Sequence, residues 1–236
     1  MNVTIAPHDV QYAINKIYTA ARTCYSNESP EVIFRESIGK PREEMMKTIL
    51  HCLRSGHHSV LEHVSFTFFI SGVSRALTHQ LVRHRLASYS QQSQRYCKVD
   101  ESGFQYVTPT TIVNNEKALE EYDRCMQVIS KCYNNLVQYG VPAEDARYVL
   151  PNGAYTNITM SLNLRQFIHL CNERLCTTAQ WEIRHMVHLM REQLKIFMGP
   201  ELMNYFEPKC KALGYCPESK KRSCGIRKTR EEVIGS

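Results

Sequence analysis

The chain has 236 residues, 43% of them hydrophobic and 22% charged, with a formal net charge of +6 at pH 7. That length holds one sizeable core, or at most two small ones, and the composition is that of a soluble globular protein. No apolar run is long enough to cross a membrane and no basic-then-apolar leader opens the chain, so a cytoplasmic protein is expected. The ten cysteines (Cys24, Cys52, Cys97, Cys125, Cys132, Cys171, Cys176, Cys210, Cys216 and Cys224) are scattered and read as reduced thiols, not as a disulfide framework. The positive charge favours anionic partners such as nucleotides, folates or nucleic acid. Much of it lies in a C-terminal crowd of lysines and arginines from Lys209 to Arg230, which reads as a solvated basic tail over 208–236, beyond a catalytic domain over 1–207.

In chain order, Asn2–Ala6 reads as a short strand and residues 9–23 as a helix. Pro41 at a first-turn position opens a helix to about Arg54 that Gly56 stops. Val64, Phe66, Phe68 and Ile70 alternate with their neighbours, which predicts a strand ended by Gly72. Residues 73–84 follow as a helix, and 104–108 and 153–160 are further strand candidates. Leu119, Tyr122, Met126, Ile129, Tyr133 and Leu136 repeat at helical spacing, as do Ile183, Val187, Met190, Leu194 and Phe197. Thr177 and Gln180 have capping-box spacing before that second helix, and Gly199-Pro200 close it. Helices and a few strands without regular βαβ alternation predict an α+β fold, a single domain with a small, largely antiparallel sheet.

Residues 83–95 hold the densest chemistry. Arg83, His84, Arg85, Ser88, Ser90, Gln91, Gln92, Ser93, Gln94 and Arg95 fall in thirteen residues that contain no acid. Arginine's planar fork suits two-point contacts to phosphate or carboxylate oxygens, so the segment reads either as a solvated charged loop or as a holder of an anionic ligand. On a helix end, Arg83 and Arg85 would point about 200° apart. Over 163–176, Asn163 and Arg174 lie about 20° apart in helical projection, while Arg165 and His169 share the other side. Arg174 shares an arc with Leu164, Phe167, Ile168, Leu170 and Cys171, which calls for an acceptor partner or a snorkelling side chain.

Other constellations are weaker. His57, His58, Glu62 and His63 lack the helical HExxH spacing of a zinc site. Ser93 lacks the glycine-flanked elbow of an activated serine. Cys210, Cys216 and Cys224 lack close CxxC pairs, so no metal is expected. Neither GxGxxG nor a P-loop is present. A reader of single-stranded nucleic acid, stacking bases on Tyr89 and Tyr96, is the main non-catalytic alternative.

Arg83-His84-Arg85, seven intervening residues and Ser93 resemble the signature of the flavin-dependent thymidylate synthases. Gly56–His63, Gln80, Arg147 before Val149-Leu150-Pro151, Asn163-Leu164-Arg165, His169, Arg174 and Gln180-Trp181-Glu182 are similar to further segments of that family. Gln91 stands where many members carry glutamate, and Gln94 where many carry glycine. The resemblance covers about residues 1–207.

It implies a homotetramer with sites shared between subunits, binding FAD and deoxyuridine monophosphate. NADPH would be the reductant and methylenetetrahydrofolate the one-carbon donor, and nucleic acid is not expected as a partner. Ser59, Arg83, His84, Arg85, Gln91, Asn163, Leu164, Arg165 and His169 would line the flavin. Gln80, Leu81, Val82, Arg83, Gln91, Gln92, Ser93, Gln94, Arg95, Arg147 and Arg174 would hold the nucleotide. Arg174 would be the catalytic cation, favouring ionisation of the pyrimidine. The hydride chemistry would belong to the flavin, and the protein would align and stabilise.

Overall fold

The structure, a computed structural model, describes residues 1–10, 12–97 and 103–235. Strand β1 (Asn2–Ile5) is followed by helices α1 (Pro7–Val10), α2 (Ala13–Thr23), α3 (Pro30–Ser37) and α4 (Arg42–Arg54). A 3-10 turn over His58–His63 leads to β2 (Ser65–Ser74), α5 (Arg75–Leu81) and β3 (Ser88–Gln91). Next come α6 (Thr110–Val113), α7 (Glu116–Gln138), α8 (Ala143–Ala146) and β4 (Tyr155–Asn163). Helices α9 (Leu164–Arg174), α10 (Trp181–Met198), α11 (Lys209–Leu213) and α12 (Arg230–Ile234) complete an α+β chain. Its antiparallel sheet has the order β1-β2-β4-β3.

Contacts sort the chain into two compact units. The first comprises Met1–Asn2, Ile70–Arg83 and Tyr89–Thr159, and the second Val3–Phe69, His84–Ser88 and Met160–Ser236. In the second unit Phe66 and Phe68 of β2 are completely buried, as alternation requires of a strand with one face on a core. Phe167 of α9 stacks on Phe68 with ring centroids 5.8 Å apart, and Phe206 meets Phe167 edge-on at 5.4 Å.

Several boundaries differ from the sequence reading, each for a local reason. Strand β2 does not end at Gly72. It runs to Ser74 with Gly72 at φ +67, where an added Cβ would lie 3.4 Å from the Met1 nitrogen. The following helix is shorter than predicted. Ser74 caps it by accepting from Leu77 N, and it stops at Leu81, whose carbonyl accepts the Tyr89 hydroxyl at 2.9 Å. Burial pushes the Tyr89 phenol up to about 12, so it remains a donor. Arg83 and Arg85 therefore lie beyond the helix, and helical projection does not set their directions.

The predicted helix over 9–23 is two pieces, Pro7–Val10 and Ala13–Thr23, with Gln11 outside the described residues. Ser29 and Pro30 start α3 by a serine cap and an N1 proline, signals not read from the sequence. Of 104–108 only a single bridge forms, Tyr106 to Ala154, and the Tyr106 hydroxyl donates to Asp123 at 2.9 Å. The cap of α10 is Gln180, accepting from Glu182 N and Ile183 N, and Thr177 is not part of it. Ile183, Val187, Met190 and Leu194 are fully buried, but Phe197 is exposed and Met198 takes its place.

Phe167 joins two ring contacts in one core, so Phe167→Ala should cost about 3–5 kcal/mol in urea unfolding. Phe69→Ala, on the exposed face of β2, should cost less than about 1 kcal/mol. Equal costs would contradict this packing.

Candidate active site

In the second unit the site begins at the end of β4. Asn163 caps α9, its side-chain oxygen accepting from Gln166 N at 2.8 Å, and Leu164 is buried with its N–H donated to Val64 O at 2.8 Å. These contacts fix the helix start, and hence the positions of Arg165, His169 and Arg174. Arg165 is exposed and paired with Glu62 of the 58–63 turn. His169, also exposed, places its ring centroid 5.9 Å from that of His84. At the other end of α9, Arg174 donates its Nε hydrogen to His84 Nε2 at 2.9 Å.

That bond determines the state of His84. An arginine Nε is a donor only, so Nε2 must present a lone pair, and the imidazole is neutral with its proton on Nδ1. Burial, followed by the charges of Arg174 and His169, lowers the His84 pKa to about 4. A neutral, buried acceptor orients a guanidinium without cancelling its charge, whereas a carboxylate partner would cancel it. The apolar-arc expectation holds: Phe167, Leu170 and Cys171 are fully buried beside a half-buried Arg174. Arg85 is exposed and makes no ion pair among the described residues. Ser59 is exposed on the 58–63 turn, where His58 Nε2 is spent on Leu53 O at 3.2 Å. Among the described residues no three His, Cys, Asp or Glu groups stand close enough to enclose a metal ion.

The first unit holds a different set. Gln91 donates its amide to Thr78 Oγ1 at 3.0 Å and Thr156 Oγ1 at 3.3 Å. The Thr78 hydroxyl gives its only hydrogen to Arg75 O at 3.1 Å, so it can only accept from residue 91. An ionised glutamate in place of Gln91 could not make that bond. Gln91, Gln94 and Val82 line an open pocket of about 370 Å³ together with Arg75, Thr78 and His79. Burial first, and then the charge of Arg147, lowers the pKa of Arg75. Arg75, a cation disfavoured by burial and by a neighbouring cation, lines the pocket, a setting in which an anion is stabilised. Sequence reading passed over Arg75; an arginine directly after a capping serine, with no acid near it, was the available signal.

Arg95 and Arg147 meet through Glu144. Its carboxylate takes Arg95 at 2.7 Å and its carbonyl takes Arg147 Nε at 2.9 Å. Ser93 Oγ accepts from Arg95 N at 3.2 Å; among the described residues no imidazole or carboxylate bonds it. Gln92 accepts from Asn157 Nδ2 at 3.1 Å. Gln80 leans back on Ala76 O at 3.4 Å, Leu81 is buried, and Val82 is exposed. Arg83 is exposed and has no ion pair among the described residues. The sequence-predicted residues thus fall into two sets, His84, Asn163, Arg165, His169 and Arg174 in one unit and Gln80, Arg83, Gln91–Arg95 and Arg147 in the other.

In an NMR titration His84 should remain neutral through pH 6 and protonate near its depressed value of about 4. Arg174→Gln should move that midpoint upward by removing a nearby positive charge. Because the folded pKa lies below the unfolded one, the unfolded chain binds the extra proton between them. The stability contributed by neutral His84 is therefore complete above about 6.5 and is lost as pH falls toward 4. A His84 midpoint at the ordinary value would contradict the geometry.

A family profile described as thymidylate synthase complementing protein matches residues 9–198. A flavin-dependent thymidylate synthase of Nitratidesulfovibrio vulgaris is 43% identical over 237 residues, covering 93% of each chain. One of Geobacter sulfurreducens is 44% identical over 201 residues, covering 84% of each, and one of Pyrococcus abyssi is 40% identical over 205 residues, covering 83% of each. With a profile spanning most of its length and relatives at this identity, the chain belongs to the flavin-dependent thymidylate synthase family.

Proposed function

We propose that the chain converts deoxyuridine monophosphate to thymidylate, taking the one-carbon unit from methylenetetrahydrofolate and reducing equivalents from NADPH through FAD. In that conversion the methylene carbon breaks its bonds to the folate nitrogens and joins C5 of the uracil, tetrahydrofolate departs, the C5 hydrogen leaves as a proton, and a hydride completes the methyl group. FAD, when bound, would supply the hydride-carrying chemistry, with NADPH as the source of reducing equivalents. The observation that carries the reading is Arg174, held by neutral His84 on an apolar helix face.

The donor set suits the cofactor. Arg83 and Arg85 are exposed cations without ion-pair partners among the described residues, fitted to phosphate oxygens. Asn163, Arg165 and His169 supply further polar atoms on α9 and at its cap. Arg165 reaches a ligand by leaving its half-exposed pairing with Glu62, a contact worth little in water. Arg95, Arg147 and Ser93 hold the nucleotide phosphate, and Gln91, fixed by two threonines, presents its carbonyl oxygen to the ligand. Arg174 stabilises negative charge developing on the pyrimidine, which a cation in a drier site does better than one in water. No side chain need act as nucleophile. A homotetramer with sites shared between subunits completes the proposal, its contacts including the α7 stripe, where Leu119, Tyr122, Ile129 and Leu136 are only half-buried within the single chain.

Flavin-replete protein under anaerobic conditions should form thymidylate only when nucleotide, methylene-folate and reductant are all present. A complete mixture that yields none would overturn the proposal. Arg174→Ala should depress nucleotide binding and turnover while changing flavin affinity less, and Arg165→Ala should do the reverse. Identical profiles in flavin and nucleotide titrations would contradict these roles. Ser93→Ala should weaken nucleotide binding on the order of tenfold and retain turnover at saturation. Complete loss of turnover with unchanged nucleotide affinity would show that Ser93 does more than position the phosphate.

A further inference from the structure

We propose that Cys176, Cys210, Cys216 and Cys224 form a four-thiolate site for a structural zinc ion. The four side chains line one pocket of about 410 Å³ in the second unit. Cys176 follows the end of α9, Cys210 sits on α11, and Cys216 and Cys224 belong to the segment before α12. Four is the ligand number of closed zinc sites, and cysteine is their preferred donor. Three of these thiols come from one stretch and the fourth from a turn more than thirty residues earlier, which is why linear spacing gave no sign of the site.

The C-terminal segment also needs a cross-link. Between 208 and 235 only Cys216 and Thr229 are buried, far too little apolar burial to hold a fold. Yet the segment is organised. Cys216 N donates to Lys228 O at 2.8 Å, Arg230 N donates to Cys216 O at 3.1 Å, and Thr229 with Glu232 forms a capping box. A metal binding four thiols from both ends of this loop supplies what a core does not. The ordered arrangement departs from the solvated tail that composition suggested.

Local chemistry points the same way. The Thr177 side chain and the Ile226 backbone hydrogen-bond Cys224, and such contacts orient and tune metal thiolates. Gly225, next to Cys224, has φ +79, which allows the chain to turn back over the sulfur. Four thiolates around one divalent ion leave a double negative charge. Lys209, Lys211 and Arg227 line the same pocket, and Lys220, Lys221, Arg222 and Lys228 lie on the same segment. Of the three acids on the pocket wall, Glu207 is held by Arg191 and Lys211 at 2.8 and 2.9 Å, and Glu173 lies 4.0 Å from Lys209. Glu218 completes the set. As they stand, no three of the thiols enclose an ion, so the proposal requires that metal binding draw them inward.

Full-length protein purified from zinc-supplemented cells without chelator should carry about one zinc ion per chain by elemental analysis. Cys176→Ser, Cys210→Ser, Cys216→Ser and Cys224→Ser should each lose most of it, and Cys24→Ser, at an exposed site, should keep it. A serine variant that failed to fold would lose metal trivially, so the second measurement uses the native sequence. Protein stripped by chelator and loaded with Co²⁺ should show thiolate-to-cobalt charge transfer and intense tetrahedral bands, both bleached by zinc. Protein that is metal-free as purified and gives only weak octahedral cobalt bands would overturn the proposal. Iron with sulfide in place of zinc, or these cysteines paired as disulfides in protein kept anaerobic, would overturn it as well.

Discussion

The bond from Arg174 Nε to His84 Nε2 is the contact on which the candidate site depends. It joins a residue of the arginine-rich segment to the far end of α9 and imposes a protonation state on one partner and an orientation on the other. A carboxylate in place of His84 would hold Arg174 more tightly but would neutralise its charge. A protonated histidine would repel it. The neutral imidazole avoids both outcomes, and burial keeps it neutral. Helix α9 supports this arrangement from its own core, with Phe167 packed between Phe68 and Phe206.

The remaining cations follow a second rule. Arg95 and Arg147 share Glu144 through different atoms, and Arg75 sits close enough to Arg147 to feel its charge. Arg83 and Arg85 have no carboxylate partners among the described residues. Positive charge held in this state raises the energy of the protein alone and lowers that of an anion-bound form, so stability is exchanged for binding. Gln91 shows how polar residues are fixed without added charge: two threonine hydroxyls set the direction of its amide.

Much of this was legible in the sequence. Alternation at Phe66, Phe68 and Ile70 gave β2, and the periodicity of Ile183 to Leu194 gave α10, because burial on one face leaves a period that a linear scan detects. The arginine-histidine-serine spacing, read as a family resemblance, gave the chain's family. The misses have physical causes. The polar strand Ser88–Gln91 carries no hydrophobic alternation, and the helix read over 73–84 stops at Leu81, whose carbonyl accepts the Tyr89 hydroxyl. The partnership of His84 with Arg174, and the convergence of Cys176 with three later cysteines, join residues far apart in the chain, so no local spacing records them. The cation Arg75 was overlooked because a single arginine inside a predicted helix looks like ordinary surface.

The central claim, that a neutral His84 orients Arg174 through its Nε2 lone pair, is tested most directly by ¹⁵N chemical shifts of the His84 ring at neutral pH. The account predicts a protonated Nδ1 and an unprotonated, hydrogen-bonded Nε2, with that signature weakened by Arg174→Gln. A proton on Nε2, or on both nitrogens, would contradict it.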